Sequence, residues 1–238
     1  MPADVDIIVP VHNEEASIDE LCERVGRLGL GNRLLFVDND STDRTVERIG
    51  RHPEARLIRH ETDEGYGASI RDGIAASDAE HIIILDADLE YPPETIPTII
   101  EALKHHPVVY ASRFLGPEPA AMPLARRLGN GLVSLLFNVL FRQRTTDLYT
   151  GMKGLRRGML PLASLRQSGF VHGVELAALI ARSGHRIHEV PVPYRPRRRG
   201  RSKMRHLPEA VKLVSYLLLY RVRPPQAALP GLRGRRMP

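Results

Sequence analysis

Residues 81–94 read His-Ile-Ile-Ile-Leu-Asp-Ala-Asp-Leu-Glu-Tyr-Pro-Pro-Glu, the most hydrophobic strand-length run of the chain, closed by two carboxylates, Asp86 and Asp88. A continuous apolar run of this length predicts a strand covered on both faces, as in a parallel sheet. A strand's period of two puts both carboxylates on one face, roughly 7 Å apart. For an isolated pair of this kind, helix capping by one acid and solvation of the other is an ordinary explanation. Here the pair ends a buried strand and precedes Pro93, which suits the first turn of a helix. That placement favours a divalent ion, Mg²⁺ or Mn²⁺, held by Asp86 and Asp88 together with the oxygens of a diphosphate.

Three similar runs lie upstream: Asp6–Val11, Arg33–Asp38 and Ala55–Arg59. Helical spacing separates them, over 17–28 (Ile18, Leu21, Cys22, Val25, Leu28), 42–49 and 67–76. The alternation predicts an α/β fold with a doubly wound, mostly parallel sheet whose ligand crevice lies beyond the carboxyl ends of the strands. Downstream we expect a helix over 93–103, a strand over 108–112, a long helix over 124–141, a strand-like segment over 148–155, a helix over 174–183 and an edge strand over 186–192. A basic loop (194–205), an amphipathic helix (207–220) and a disordered Pro/Gly/Arg-rich tail (223–238) complete the chain.

The polar residues after each strand carry the chemistry. Asp38-Asn39-Asp40-Ser41-Thr42-Asp43 ends the second strand; Ser41 or Thr42 can cap the next helix, which leaves Asp38 and Asp40 to accept hydrogen bonds from a nucleoside. His12-Asn13-Glu14 holds the matching place after the first strand, where Asn13 can equally serve as a cap. Gly65-Tyr66-Gly67 precedes a helix, but position 70 is Ile and no Walker lysine follows, which disfavours a nicotinamide dehydrogenase or a P-loop enzyme.

Of the formal charge of +6, residues 186–238 hold 14 Arg/Lys against 2 Asp/Glu, so the preceding 185 residues are acidic overall. The basic end calls for an anionic partner. With 5% aromatic residues and no tryptophan, base stacking has little support, and nucleic acid is not an expected partner. The basic loop followed by an apolar helical face suggests an anchor on an anionic membrane surface, or else a helix that simply packs on the domain. One cysteine, Cys22, permits no internal disulfide, and no secretory signal or spanning segment is read; the expected location is cytoplasmic, peripheral on the inner face of the membrane.

Taken in order, Val9-Pro10-Val11-His12-Asn13-Glu14, Val37 to Asp43, Gly65-Tyr66-Gly67-Ala68, Asp86 to Glu94, Ser112-Arg113-Phe114, Arg127-Leu128-Gly129-Asn130, Asp147 to Gly151, and Glu189 to Tyr194 running into Arg198–Lys203 resemble the family-two glycosyltransferases of GT-A fold. The similarity is to the polyprenyl-phosphate mannose or glucose synthase branch. It implies an inverting, metal-dependent transfer of a hexose from a nucleotide sugar, of GDP-mannose or UDP-glucose type, to polyprenyl phosphate.

The resemblance assigns Pro10, His12, Asn13, Glu14, Asp38, Asp40 and Gly67 to the nucleotide, and Asp86, Ala87, Asp88 and Glu90 to ribose, metal and diphosphate. It assigns Arg113, Arg127 and Asn130 to the acceptor phosphate, and Arg199, Ser202 and Lys203 to a loop over the diphosphate. The usual Asp-Asp-Gly-Ser reads Asp38-Asn39-Asp40-Ser41 here, and Glu90 stands where Gln is common. Asp88, Asp147 and Arg113 are the expected catalytic residues, with Asp147 orienting acceptor or sugar unless it merely satisfies backbone amides. Glu175, on an apolar helix, is expected either to pair with a buried arginine or to help bind the acceptor. The expected organisation is a transferase domain over 1–205, the amphipathic helix over 206–222 and the tail. The alternatives are a soluble acceptor, or a non-catalytic membrane- or nucleic-acid-binding module.

Overall fold

The computed structural model describes residues 4–116, 122–159, 164–169, 171–195 and 206–222. Arg199, Ser202, Lys203 and the expected tail lie outside these residues. The elements run β1 (Val5–Val11), α1 (Ile18–Arg27), β2 (Leu34–Asn39), α2 (Thr45–Ile49), β3 (Arg56–His60), α3 (Tyr66–Ala75), β4 (His81–Leu85), α4 (Ile96–Leu103), β5 (Val108–Ser112), α5 (Leu124–Phe141), β6 (Met152–Arg156), α6 (His172–Arg182), β7 (His188–Pro191) and α7 (His206–Val222).

One seven-stranded sheet has the order β3-β2-β1-β4-β6-β5-β7, with β7 at an edge as expected. Its faces are separated by the pleat. Ile7, Val9, Leu34, Phe36, Ile83 and Leu85 pack with α1 and α4, whereas Ile8, Leu35, Val37, Ile82 and Ile84 pack with α3, α5, α6 and α7. Burial on both faces accounts for the near-continuous apolar runs from which these strands are read. Pro10, which has no N–H, lies beyond Ile8↔Ile84, where the β1–β4 ladder ends.

Four parallel strands are as expected, but β6 is antiparallel to both β4 and β5. This reversal positions the site, because it brings the start of β6 and the preceding residues 147–151 to the edge where β4 and β5 end. The segment before Met152 is a turn, so the strand is shorter than expected. The helix after β2 also begins late: Asp43 Oδ1 accepts from the backbone N–H (2.9 Å) and hydroxyl of Thr45, so neither Ser41 nor Thr42 caps it.

The amphipathic helix α7 packs Leu213 and Leu217 with the α3 face of the sheet, buries Tyr220 as well, and leaves Leu218, Leu219 and Val222 exposed. No helix among the described residues is long and apolar enough to cross a membrane.

Candidate active site

The loops after β1, β2 and β4 meet at one sheet edge, and each has a non-glycine residue with left-handed backbone: Asn13 (φ 54°), Asp40 (φ 62°) and Leu89 (φ 60°). Asn and Asp tolerate this conformation, but leucine seldom adopts it, and such strain concentrates at functional sites. Asn13 does not cap α1. Its side-chain oxygen accepts from the N–H groups of Thr42 (2.8 Å) and Asp43 (3.2 Å), tying the β1 loop to the β2 loop, while Asn13 N–H donates to Ser41 Oγ. His12 Nδ1 lies 2.6 Å from the Asn39 carbonyl, and Glu14 N–H donates to Thr45 Oγ1.

Asp38 is fully buried, and among the described residues its Oδ1 has no hydrogen-bond partner. A buried carboxylate oxygen left in this state is costly unless a ligand donor meets it. Asp40 is exposed at the same rim. At Gly67, which the resemblance assigns to the nucleotide, a Cβ would lie 2.2 Å from the Gln167 carbonyl and 2.6 Å from His172 Cβ. The glycine permits α3 to pack against the 167–172 segment.

β4 stops at Leu85, so Asp86 and Asp88 lie in a turn and the strand's period does not set their separation. Asp88 Oδ1 accepts from Glu90 N–H (3.0 Å), closing this turn. Asp86 accepts from the Tyr66 hydroxyl (2.7 Å), and its backbone N–H donates to the Gly151 carbonyl. Burial, and then the Asp88 charge, push the Asp86 carboxyl up to about 7, against the opposing pull of Lys153 and Tyr66. A carboxylate raised by its acidic neighbour is a site that gains from a cation. The hard oxygen donors of Asp86 and Asp88 fit Mg²⁺ or Mn²⁺.

Next to the acidic pair is a buried polar network. Arg113 forms a two-pronged bond to Asp147, Nε to Oδ2 at 2.6 Å and Nη2 to Oδ1 at 2.7 Å, and Asn130 Nδ2 donates to the same Oδ1 at 2.8 Å. The rings of Tyr91 and Tyr194 each lie 5.5 Å from the guanidinium. Glu189 accepts from the backbone N–H groups of Thr146 and Asp147, fixing the loop that presents Asp147. The structure thus brings Arg113, Asn130 and Asp147 together, whereas Arg127 is exposed on α5. Glu90 is buried, 4.0 Å from Arg126, and its carbonyl accepts from Arg195 N–H.

Sequence reasoning missed Tyr66, Lys153 and Glu189. Lys153 is buried on β6, donates to the Thr150 carbonyl, and burial pulls its ammonium down to about 8 despite the nearby Asp86 and Asp147. Gly151 is required by proximity: a Cβ there would lie 2.3 Å from Asp86 Oδ2 and 2.9 Å from the Tyr91 ring. Glu175 pairs with no arginine side chain among the described residues. It accepts from the backbone N–H groups of Arg166 and Gln167 and from the Tyr220 hydroxyl (2.5 Å), anchoring α7.

A mostly parallel sheet with carboxylates gathered at its strand ends beside a buried Arg–Asp network places the molecule among GT-A-like glycosyltransferases. Residues 6–160 match the family model described as Glycosyl transferase family 2, and the chain belongs to that family.

A dolichol-phosphate mannosyltransferase of Pyrococcus furiosus is 30% identical over 211 residues, 84% of this chain; the chain spans 59% of that relative's length. An undecaprenyl-phosphate mannosyltransferase of Micrococcus luteus is 27% identical, covering 83% of this chain and 86% of its own. Among solved structures, glucosyl-3-phosphoglycerate synthase from Mycobacterium tuberculosis, in complex with Mn²⁺, UDP and glucosyl-3-phosphoglycerate, superposes with a TM-score of 0.72 at 21% identity. It covers 95% of this chain and 82% of its own, a likeness of fold.

Proposed function

We propose that this glycosyltransferase moves a hexose from a nucleoside-diphosphate sugar to a polyprenyl phosphate at a membrane surface. One observation carries the reading: the acidic turn of Asp86 and Asp88 adjoins the Arg113–Asp147–Asn130 network through Gly151 and Tyr91, so a site suited to a metal-bound diphosphate meets one able to orient an anionic acceptor.

Asp38 and Asp40 hold the nucleoside, with the orphaned Asp38 oxygen accepting from it. Asp86 and Asp88 would hold Mg²⁺ or Mn²⁺, which when bound would supply positive charge to offset that of the leaving diphosphate. In this reading Arg199, Ser202 and Lys203 bind that diphosphate. A phosphate acceptor is already anionic near neutral pH, so attack at the anomeric carbon needs alignment more than a strong base. Arg113, locked by Asp147, presents its remaining N–H groups and Asn130 its amide edge, while the exposed Arg127 meets the phosphate from solvent.

The lipid reading is supported by α5. Leu124, Leu128, Leu132, Leu135 and Val139 recur at helical spacing and are 59–70% exposed, forming an apolar stripe directed away from the core. With Leu218, Leu219 and Val222 of α7, this surface suits the interface of an anionic bilayer.

The test is nucleoside-diphosphate release from a panel of GDP- and UDP-sugars with Mg²⁺ or Mn²⁺, with and without polyprenyl phosphate. Release that needs the lipid phosphate and disappears in Asp88→Asn supports the proposal. Release with a soluble phosphorylated acceptor, and none with lipid, would reassign the acceptor.

A further inference from the structure

At the far end of the crevice His60, Glu64 and Asp72 each bring one ligand atom within 4.8 Å of the others. His60 ends β3, Glu64 lies in the following loop and Asp72 is on α3. The His60 side chain is 6% exposed, and its Nε2 has no hydrogen-bond partner among the described residues.

Asn39 sets the state of the ring. Its side-chain oxygen accepts from the backbone N–H groups of Glu64 (2.9 Å) and Gly65 (3.2 Å), and its amide nitrogen donates to Asp63 Oδ1. The oxygen therefore faces His60 Nδ1, 3.2 Å away, and Nδ1 is the protonated nitrogen. Nε2, on the other side of the ring, lies 3.2 Å from Asp72 Oδ2 without making a hydrogen bond to it. Arg71 Nε, 3.3 Å from the other Asp72 oxygen, holds that carboxylate in place.

We propose that His60, Glu64 and Asp72 form a second divalent-cation site, distinct from Asp86 and Asp88, for a borderline ion of the Zn²⁺ class. A cation between Nε2 and Oδ2 would satisfy the buried Nε2, and a metal-bound histidine commonly donates its other N–H to a fixed oxygen, as His60 does to Asn39. One imidazole and two carboxylates favour Zn²⁺ or a similar ion over Ca²⁺ and Mg²⁺, which prefer oxygen alone. The exposed Glu64 leaves further positions to water. Occupied, the site joins β3 to α3 and steadies Tyr66, which reaches Asp86.

The experiment is calorimetric titration of the full chain carrying Asp86→Asn and Asp88→Asn with Zn²⁺, with bound metal counted after dialysis. One Zn²⁺ per chain is expected, with affinity at least tenfold weaker on adding His60→Gln or Asp72→Asn, and a Zn²⁺-dependent rise in melting temperature lost in the same variants. No bound Zn²⁺, or binding unchanged by both substitutions, would overturn the proposal. Melting of each variant without metal establishes that it folds, and Glu64→Gln, at an exposed residue, serves where His60→Gln does not.

Discussion

The Tyr66 hydroxyl donates to Asp86 Oδ1 at 2.7 Å, linking the first turn of α3 to the acidic turn after β4. This bond opposes the effect of burial and of Asp88 on the Asp86 carboxyl. Tyr66→Phe should leave the fold intact and weaken metal-dependent donor binding by about tenfold or more, since a hydrogen bond to a charged group contributes about 1.5–3 kcal/mol. Donor affinity measured with and without Mn²⁺ checks this; an unchanged affinity would remove Tyr66 from the site.

Gly151→Ala tests the packing of the two halves. Its Cβ would meet Asp86 Oδ2 at 2.3 Å, so either the carboxylate or the β6 turn must move. We expect donor turnover to fall by about a hundredfold, the scale of a misplacement near 1 Å, with little change in circular dichroism. Turnover like that of the unmodified chain would mean that the turn yields freely.

Arg113 and Asp147 are 5% and 0% exposed, so breaking their pair from one side strands a buried charge. Asp147→Leu should cost about 3–5 kcal/mol of stability, and Arg113→Met added to it should restore much of that. Urea denaturation of the single and double variants measures the recovery. If the double variant is no more stable than Asp147→Leu, burial of an unpaired charge is not the cause.

His172 is packed against Gly67, and burial pulls its imidazole down to about 3 from an ordinary 6.5, with Lys153 and Arg71 adding to the shift. The unfolded chain therefore binds a proton that the folded chain refuses between these values. Its contribution is intact above about pH 6.5 and is lost as pH falls towards 3. Urea midpoints taken across this window should decline with acidification, and less steeply in His172→Gln. Parallel curves would assign the acid sensitivity elsewhere.

How far the sequence was legible depended on burial. β1, β2 and β4 are buried on both faces and read as apolar runs, and the carboxylates following them read as site residues. β6, Met-Lys-Gly-Leu-Arg, lies within the strand-like segment expected over 148–155 but is not an apolar run. Its lysine is buried and its glycine, Gly154, admits Ile99 of α4, where a Cβ would lie 2.5 Å from Ile99 Cγ2. Its reversed direction is set by tertiary pairing that local pattern does not encode. Glu175 and Glu189 were obscure for a related reason, because their partners are mainly backbone N–H groups distant in sequence and carry no residue signature.

The exposed stripe of α5 gives a separate prediction. Replacing Leu128, Leu132 and Val139 together by serine should lower binding to anionic vesicles by well over about tenfold, since burying one such side chain contributes about 1.5–3 kcal/mol. Co-flotation with vesicles is the readout. Undiminished flotation would shift membrane contact to other surfaces.

The central claim is transfer of sugar to a lipid phosphate through the carboxylates at the end of β4. Its most direct test is incubation of purified protein with labelled nucleotide sugar, Mn²⁺ and polyprenyl phosphate, followed by organic extraction. The account predicts labelled lipid with the unmodified chain and none with Asp88→Asn. Water-soluble product alone, or lipid labelling undiminished in Asp88→Asn, would contradict it.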